Sequence, residues 1–199
     1  MVDLSEHGEW LVLDKLFKDR APRNKFLVDV GAFGKELSNS YQFLVAGWKG
    51  LLLEPSPDRY RRCVVDFAGL NCELLPLAAG LAPGRALLYL HTVAGHDSLL
   101  GDWYPSTLGV GPVWVEVMPL YGLLEEREVN FDFDLLSIDT EGMDAAIMKD
   151  FFEESRYRPR VVVTEVTSYH DVEGFFRGHG YELYARCGDR KLGNAIFVR

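Results

Sequence analysis

Apolar residues along this chain fall into short unbroken runs and longer interrupted ones. Phe26–Val30 (FLVDV), Leu51–Leu53, Asp134–Ile138 and Arg160–Thr164 are short runs. Rich in Val and Leu and without alternation, they predict strands buried on both faces. Cys72–Ala79 predicts a further strand. Between the runs the spacing becomes helical. Tyr41, Leu44, Val45 and Trp48 fall at i, i+3, i+4 and i+7, with Gly47 and Gly50 marking the end of that helix. Ser56-Pro57-Asp58 is a helix start, and Tyr60, Cys63, Val64 and Phe67 form the apolar face behind it. Trp10, Leu13 and Phe17 predict a helix over Ser5–Phe17. Leu120–Arg127 reads as a short helix, Met143, Ala146, Ile147 and Phe151 mark another, and Val172, Phe175 and Phe176 mark one that stops near Gly180.

Strands and helices in alternation imply α/β architecture, a mostly parallel sheet with helices on both faces. Tyr181–Arg186 and Asn194–Val198 close the chain as an antiparallel hairpin. With neither repeat nor low-complexity linker, residues 1–199 read as a single domain. Residues 1–25 are an N-terminal helix and loop, and 80–118 a variable insertion. In that insertion Arg85–His91 and Val113–Met118 predict a small extra sheet, joined by the long loop AGHDSLLGDWYPSTLGVGP. Loops of that length in a compact domain are often functional.

Composition narrows the partners. The net charge is -9 and the pI about 5.0. Nucleic-acid binding draws its affinity from positive charge, so a DNA or RNA partner is not expected. Arg59, Arg61 and Arg62 are the densest basic cluster and read as the solvated face of a helix. No apolar run approaches the ~20 residues of a membrane span. The N-terminus lacks the basic start and unbroken apolar stretch of a secretory signal. Three scattered cysteines show neither disulfide nor metal spacing. A cytoplasmic protein is the expectation.

Four predicted strands end in carboxylates: Asp29, Glu54, Asp139 and Glu165. Ligands of such sheets bind at the carboxyl ends of the strands. Like charges gathered there repel, so a purely structural role explains the set poorly. Gly31 and Gly34 let the backbone turn sharply and approach a ligand, with a helix N-terminus expected after them. A dinucleotide fingerprint needs a glycine where Asp29 stands, and an acid there repels pyrophosphate. Glu54, roughly twenty residues on, is placed to accept hydrogen bonds from a ribose diol. A ribose, a cationic centre, an amine and no pyrophosphate describe S-adenosylmethionine.

The stretches VDVGAFGKELSNSYQF, GWKGLLLEPSPDRY, DLLSIDTEGMDAAIM and the closing GY and NAIFV resemble the FkbM family of S-adenosylmethionine-dependent methyltransferases. The resemblance runs from Phe26 onward. It implies the class I methyltransferase fold, which is Rossmann-like, with seven strands and the last antiparallel. It implies that Asp29, Gly31 and Ala32 hold the methionine end, with Gly34 in the same loop and Ser38 and Ser40 adding hydrogen bonds. Glu54 would bind the ribose with Pro55 beside it, and Ala78 and Ala79 would lie near adenine.

The expected reaction is O-methylation of a hydroxyl on a small molecule, glycan or natural product. N-methylation and a non-catalytic binding module are the alternatives. A hydroxyl needs its proton removed, and Asp139, Glu141 and His170 are the candidate bases. A metal version places Mg2+ on Asp139 and Glu165. His96, Asp97, Ser98, Trp103 and Tyr104, in the long loop, are the candidate acceptor contacts. The oligomeric state and the acceptor itself are not readable from these residues.

Overall fold

The computed structural model describes residues 2–93, 95–102, 109–165, 169–188 and 193–199, with backbone alone at 169–171. Six helices and ten strands are assigned among them. The helices are α1 (Glu9–Asp19), α2 (Tyr41–Val45), α3 (Pro57–Asp66), α4 (Leu120–Glu126), α5 (Asp144–Glu154) and α6 (Tyr169–Gly178). The strands are β1 (Phe26–Val30), β2 (Lys49–Leu53), β3 (Cys72–Leu75), β4 (Leu77–Ala79), β5 (Gly84–His91), β6 (Gly109–Met118), β7 (Leu135–Ile138), β8 (Val161–Glu165), β9 (Glu182–Gly188) and β10 (Gly193–Val198).

Seven strands make one sheet in the order β3-β2-β1-β7-β8-β10-β9. All neighbours are parallel except β10, which runs antiparallel to both β8 and β9. The chain moves outward from β1 to β3, then returns on the other side of β1 as β7. That reversal opens a crevice between the ends of β1 and β7.

Successive residues of the central strands feed opposite cores. Val28, Val30, Leu51, Leu53, Leu136 and Ile138 pack with α4, α5 and α6. Leu27, Leu52, Leu135, Val161 and Val163 pack with α1, α2 and α3. Alternation is invisible in the sequence because both faces are apolar.

Four local expectations change. The segment Cys72–Ala79 breaks at Pro76, which has no N–H to give a ladder. β3 stays in the main sheet while β4 joins β6 and β5 in a separate three-stranded sheet, order β4-β6-β5. The helix expected through Trp48 is the five-residue α2. Its Val45 is 53% exposed, while Phe43 and Leu44 inside it and Trp48 beyond it are buried. Gly50 lies inside β2, where a Cβ would stand 3.0 Å from side-chain atoms of Leu27, Leu44 and Leu52, a tight fit. On α3 only Cys63, with Phe67 just past its end, reaches the core; Val64 is exposed. The N-terminal helix starts at Glu9, so residues 2–8 form an irregular strap before it, bent over residues 5–8.

Candidate active site

A cavity of about 200 Å3 opens at the carboxyl edge of the main sheet. Its floor comes from the residues that follow β1, β2 and β7: Gly31, Glu54, Pro55, Asp139, Thr140 and Glu141. Glu165 closes the β8 side, and Leu77, Ala78, Ala79 and Leu88 of the small sheet form an apolar wall.

The β1 loop is fixed by backbone chemistry. The amides of Gly31 and Ala32 both donate to the Leu53 carbonyl, at 2.9 and 3.0 Å. Those are donors a dinucleotide fold would aim at pyrophosphate, and here they are already engaged. Gly31 has φ +90, and a Cβ on it would stand 1.9 Å from the Asp139 carbonyl oxygen. Only glycine permits β1 and β7 to run so close at the crevice. No helix follows at once; residues 31–40 are turns and bends until α2.

Glu54 is 4% exposed and faces the cavity. Its Oε2 accepts the Phe33 amide at 3.1 Å and its Oε1 the Ser56 amide at 2.8 Å. The carboxylate is therefore held rigidly, with lone pairs remaining on both oxygens. Burial pushes its pKa up to about 7, opposed by those amides and by Arg59. Arg59 pairs with Asp97 at 3.0 Å and lies over the Phe33 ring, 5.1 Å from its centroid. This side chain read from sequence as solvated is a wall of the cavity.

Asp139, Glu141 and Glu165 also line the cavity. Burial raises the Asp139 pKa well above its usual value, and Asp144, Glu141 and Glu165 reinforce the shift. Glu165 rises to about 7 for the same reasons, burial first and then Glu141 and Asp144. The turn carrying Asp139 and Glu141 is held by Asp144, whose carboxylate accepts the amides of Thr140 at 3.0 Å and Gly142 at 3.3 Å. Asp144, rather than Glu141, thus organises the start of α5. Glu141 itself has φ +55, and its carbonyl accepts the Ser98 hydroxyl at 2.6 Å.

Of the residues singled out from sequence, Gly31, Glu54, Pro55, Ala78, Asp139, Glu141, Glu165, His96 and Asp97 line the cavity. Asp29, Ala32, Gly34, Ser38, Ser40 and Ser98 do not. Asp29 is buried among Ser40 and Ser137, whose hydrogen bonds partly offset the burial that raises its pKa to about 6. Ala32 packs in the core under α1–α3. Gly34 sits against Arg62 and Asp66. The Ser38 hydroxyl accepts the amides of Ser40 and Tyr41, which shapes the entry to α2. Ser98 is fully buried, tying the small sheet to the Glu141 turn. Asp97 is held by Arg59 and by the His91 amide at 2.8 Å. Trp103, Tyr104 and the His170 side chain lie outside the described residues. Among the described residues, no group of three or more His, Cys, Asp or Glu side chains could hold a metal ion, so Asp139 and Glu165 gain no third partner for Mg2+.

Sequence reading missed Glu6, His7, Phe33, Leu37, Arg59 and Asn194, all of which line the cavity. Phe33 carried a signal only in hindsight, as a bulky residue in a glycine loop; it sits at φ +47.

This geometry, with the strand order above, is that of the class I methyltransferase fold. Residues 29–183 match the family model described as the methyltransferase FkbM domain, and the chain belongs to that family. Solved structures agree on the fold. A precorrin-6y C5,15-methyltransferase from Geobacter metallireducens GS-15 aligns over 100% of this chain and 93% of its own, with TM-score 0.53 and 14% identity. The METTL16 methyltransferase domain aligns over 96% and 66%, with TM-score 0.54 and 14% identity. The Methanococcus jannaschii fibrillarin pre-rRNA processing protein aligns over 89% and 67%, with TM-score 0.51 and 8% identity. No curated protein matches the chain. Methyltransferases of this fold use S-adenosylmethionine. The residues present fit it: a rigid carboxylate at β2, a side-chain-free approach at Gly31, an apolar wall beside them, and Gly31 and Ala32 amides already bonded to Leu53.

No helix among the described residues is long and apolar enough to cross a membrane.

Proposed function

We propose that the protein transfers a methyl group from S-adenosylmethionine to a hydroxyl of a small molecule, glycan or natural product. The observation that carries this is Glu54, a buried carboxylate locked by two amides and facing the same cavity as Gly31. Glu54 binds the two ribose hydroxyls. Ala78, Ala79 and Leu88 take the flat base against their apolar surface. Asp139 and Glu141, at the β7 edge, face the cationic end of the cofactor, which supplies the activated methyl group.

The rest of the carboxylate edge serves the acceptor. Glu165 at about pKa 7 is poised to hold or release a proton near neutrality. A hydroxyl bound beside it would lose its proton there as the methyl group arrives. The net charge of -9 and this acidic edge support a small acceptor over a nucleic acid. The same acids would also attract an amine, which keeps N-methylation as the second reading.

Calorimetric titration with S-adenosylmethionine tests the proposal. Saturable binding that is lost in Glu54→Ala, with the thermal transition retained, is the expected result. Absence of binding by folded protein would sink it.

A further inference from the structure

The strap formed by residues 2–8 lies outside the family-matched region, which begins at residue 29. Yet Glu6 and His7 line the cavity beside Asp139, Glu141 and Glu165. We propose that this strap completes the acceptor side of the pocket, and that Glu6 and His7 are contact residues for the methyl acceptor. The inference rests on the methyltransferase reading above.

The strap is built into place from both sides. On one, the Leu4 amide donates to Gln42 Oε1 at 3.0 Å and Gln42 Nε2 donates to the Val2 carbonyl at 3.0 Å. The Ser38 amide donates to the Leu4 carbonyl at 3.1 Å. On the other side, Glu9 is fully buried. Its two oxygens accept the His7 amide at 2.9 Å and Asn194 Nδ2 at 2.9 Å. Asn194 also lines the cavity. A buried carboxylate is costly unless well bonded, and this one is spent on fixing the backbone of His7.

The side chains that result are polar: His7 is partly buried and Glu6 is exposed at the rim. His7 Nε2 stands 4.0 Å from Glu6 Oε1. The charge of Glu6 is felt by Asp139 and Glu165 at the sheet edge and by His96 on the opposite wall. Glu6 lines the same cavity as all three of these groups. Holding α1 against the sheet needs only the pinned backbone and the apolar face of Trp10, Leu13 and Phe17. It gives no reason for an acid and an imidazole to face the cavity. A polar group arriving at the transferred methyl from outside would meet this pair.

The test needs no acceptor. S-adenosylhomocysteine leaves the methyl position vacant, whereas sinefungin carries a protonated amine there. Resonances of labelled histidine side chains are followed in the full chain with each ligand, His7 being assigned by its loss in His7→Gln. Sinefungin should shift the His7 signals more than S-adenosylhomocysteine does. His179, whose Nδ1 lies 2.9 Å from the Phe175 carbonyl and which is not among the lining residues, should stay fixed. Glu6→Gln should cut the preference for sinefungin over S-adenosylhomocysteine about tenfold, as expected for losing one charge-assisted contact. Unmoved His7 signals with an unchanged preference in Glu6→Gln would overturn the role of the strap while leaving the cofactor pocket intact. Failure of both ligands to bind would instead sink the methyltransferase reading, and this inference with it.

Discussion

The two edges of the main sheet treat their acids in opposite ways. β7 is bracketed by Asp134 before its first residue and Asp139 after its last. Asp134, fully buried, accepts the amides of Arg23, Asn24 and Lys25 at 2.7–2.8 Å and Arg160 Nη1 at 3.0 Å. Asp139, at the other end, faces Glu141, Glu165 and Asp144. One acid is surrounded by donors, the other by like charges. The first edge is built for stability, and the second holds unfavourable electrostatics that a cationic ligand would relieve.

Substitution of Asp134 should therefore do the most damage. Asp134→Ala leaves three amides and a guanidinium without their acceptor, at the point where the loop before β1 meets β7 and β8. Loss of about 3–5 kcal/mol is expected, as for breaking a buried charged network. Urea denaturation measures it. A change below about 1 kcal/mol would remove the contrast between the edges.

Gly31→Ala comes next. The methyl group cannot coexist with the Asp139 carbonyl at 1.9 Å, and φ +90 adds backbone strain. The β1 loop must separate from β7, costing about 2–3 kcal/mol. Binding of S-adenosylmethionine should disappear with it, read by calorimetry. An alanine variant that binds normally would show that the crevice is wider than it stands here.

Glu54→Gln is milder. It keeps the shape and one acceptor oxygen but loses the charge and one of the two sites for a ribose diol. Affinity for S-adenosylmethionine should fall about tenfold, or about 1.4 kcal/mol. Affinity for methionine alone, which lacks the ribose, should be unaffected. An equal loss for both would place the ribose elsewhere.

How much of this was legible beforehand follows from what is local. The strands β1, β2, β7 and β8 announced themselves as apolar runs, and their terminal acids gave the sheet edge. The Cys72–Ala79 run misled because apolar residues stand on both sides of Pro76, where the chain passes from one sheet to the other. The α2 face misled because the helix ends at Val45, which turns to solvent, while Phe43, Leu44 and Trp48 pack together in one cluster with α1. Asp29 and Glu54 looked alike in sequence, each an acid at a strand end. One residue decides their fates: Asp29 precedes Val30 and stays within the sheet, while Glu54 follows Leu53 and clears it. Glu6 and His7 were not legible, since nothing in a polar N-terminal stretch states that it will cross a cavity bounded by residue 165. That placement depends on Gln42, Glu9 and Asn194, three positions far apart in the chain.

The smallest effect bears most directly on the contrast of the edges, because its sign is opposite. The Glu165 pKa rises from an ordinary 4.5 to about 7, through burial and then repulsion from Glu141 and Asp144. The folded protein thus holds this proton more tightly than the unfolded chain does. Its contribution to stability is complete below about 4.5 and is lost as pH rises through about 7. At pH 8 the ionised carboxylate is a burden, and Glu165→Gln removes it. The variant should be more stable than the parent at pH 8 by about 1 kcal/mol, a value discounted for partial solvation. The gain should vanish by pH 5, where the parent carboxyl is itself neutral. Thermal melts at the two pH values decide the matter. A variant less stable at pH 8 would mean that Glu165 is held by donors as Asp134 is, and that the carboxyl edge stores no repulsion for a ligand to relieve.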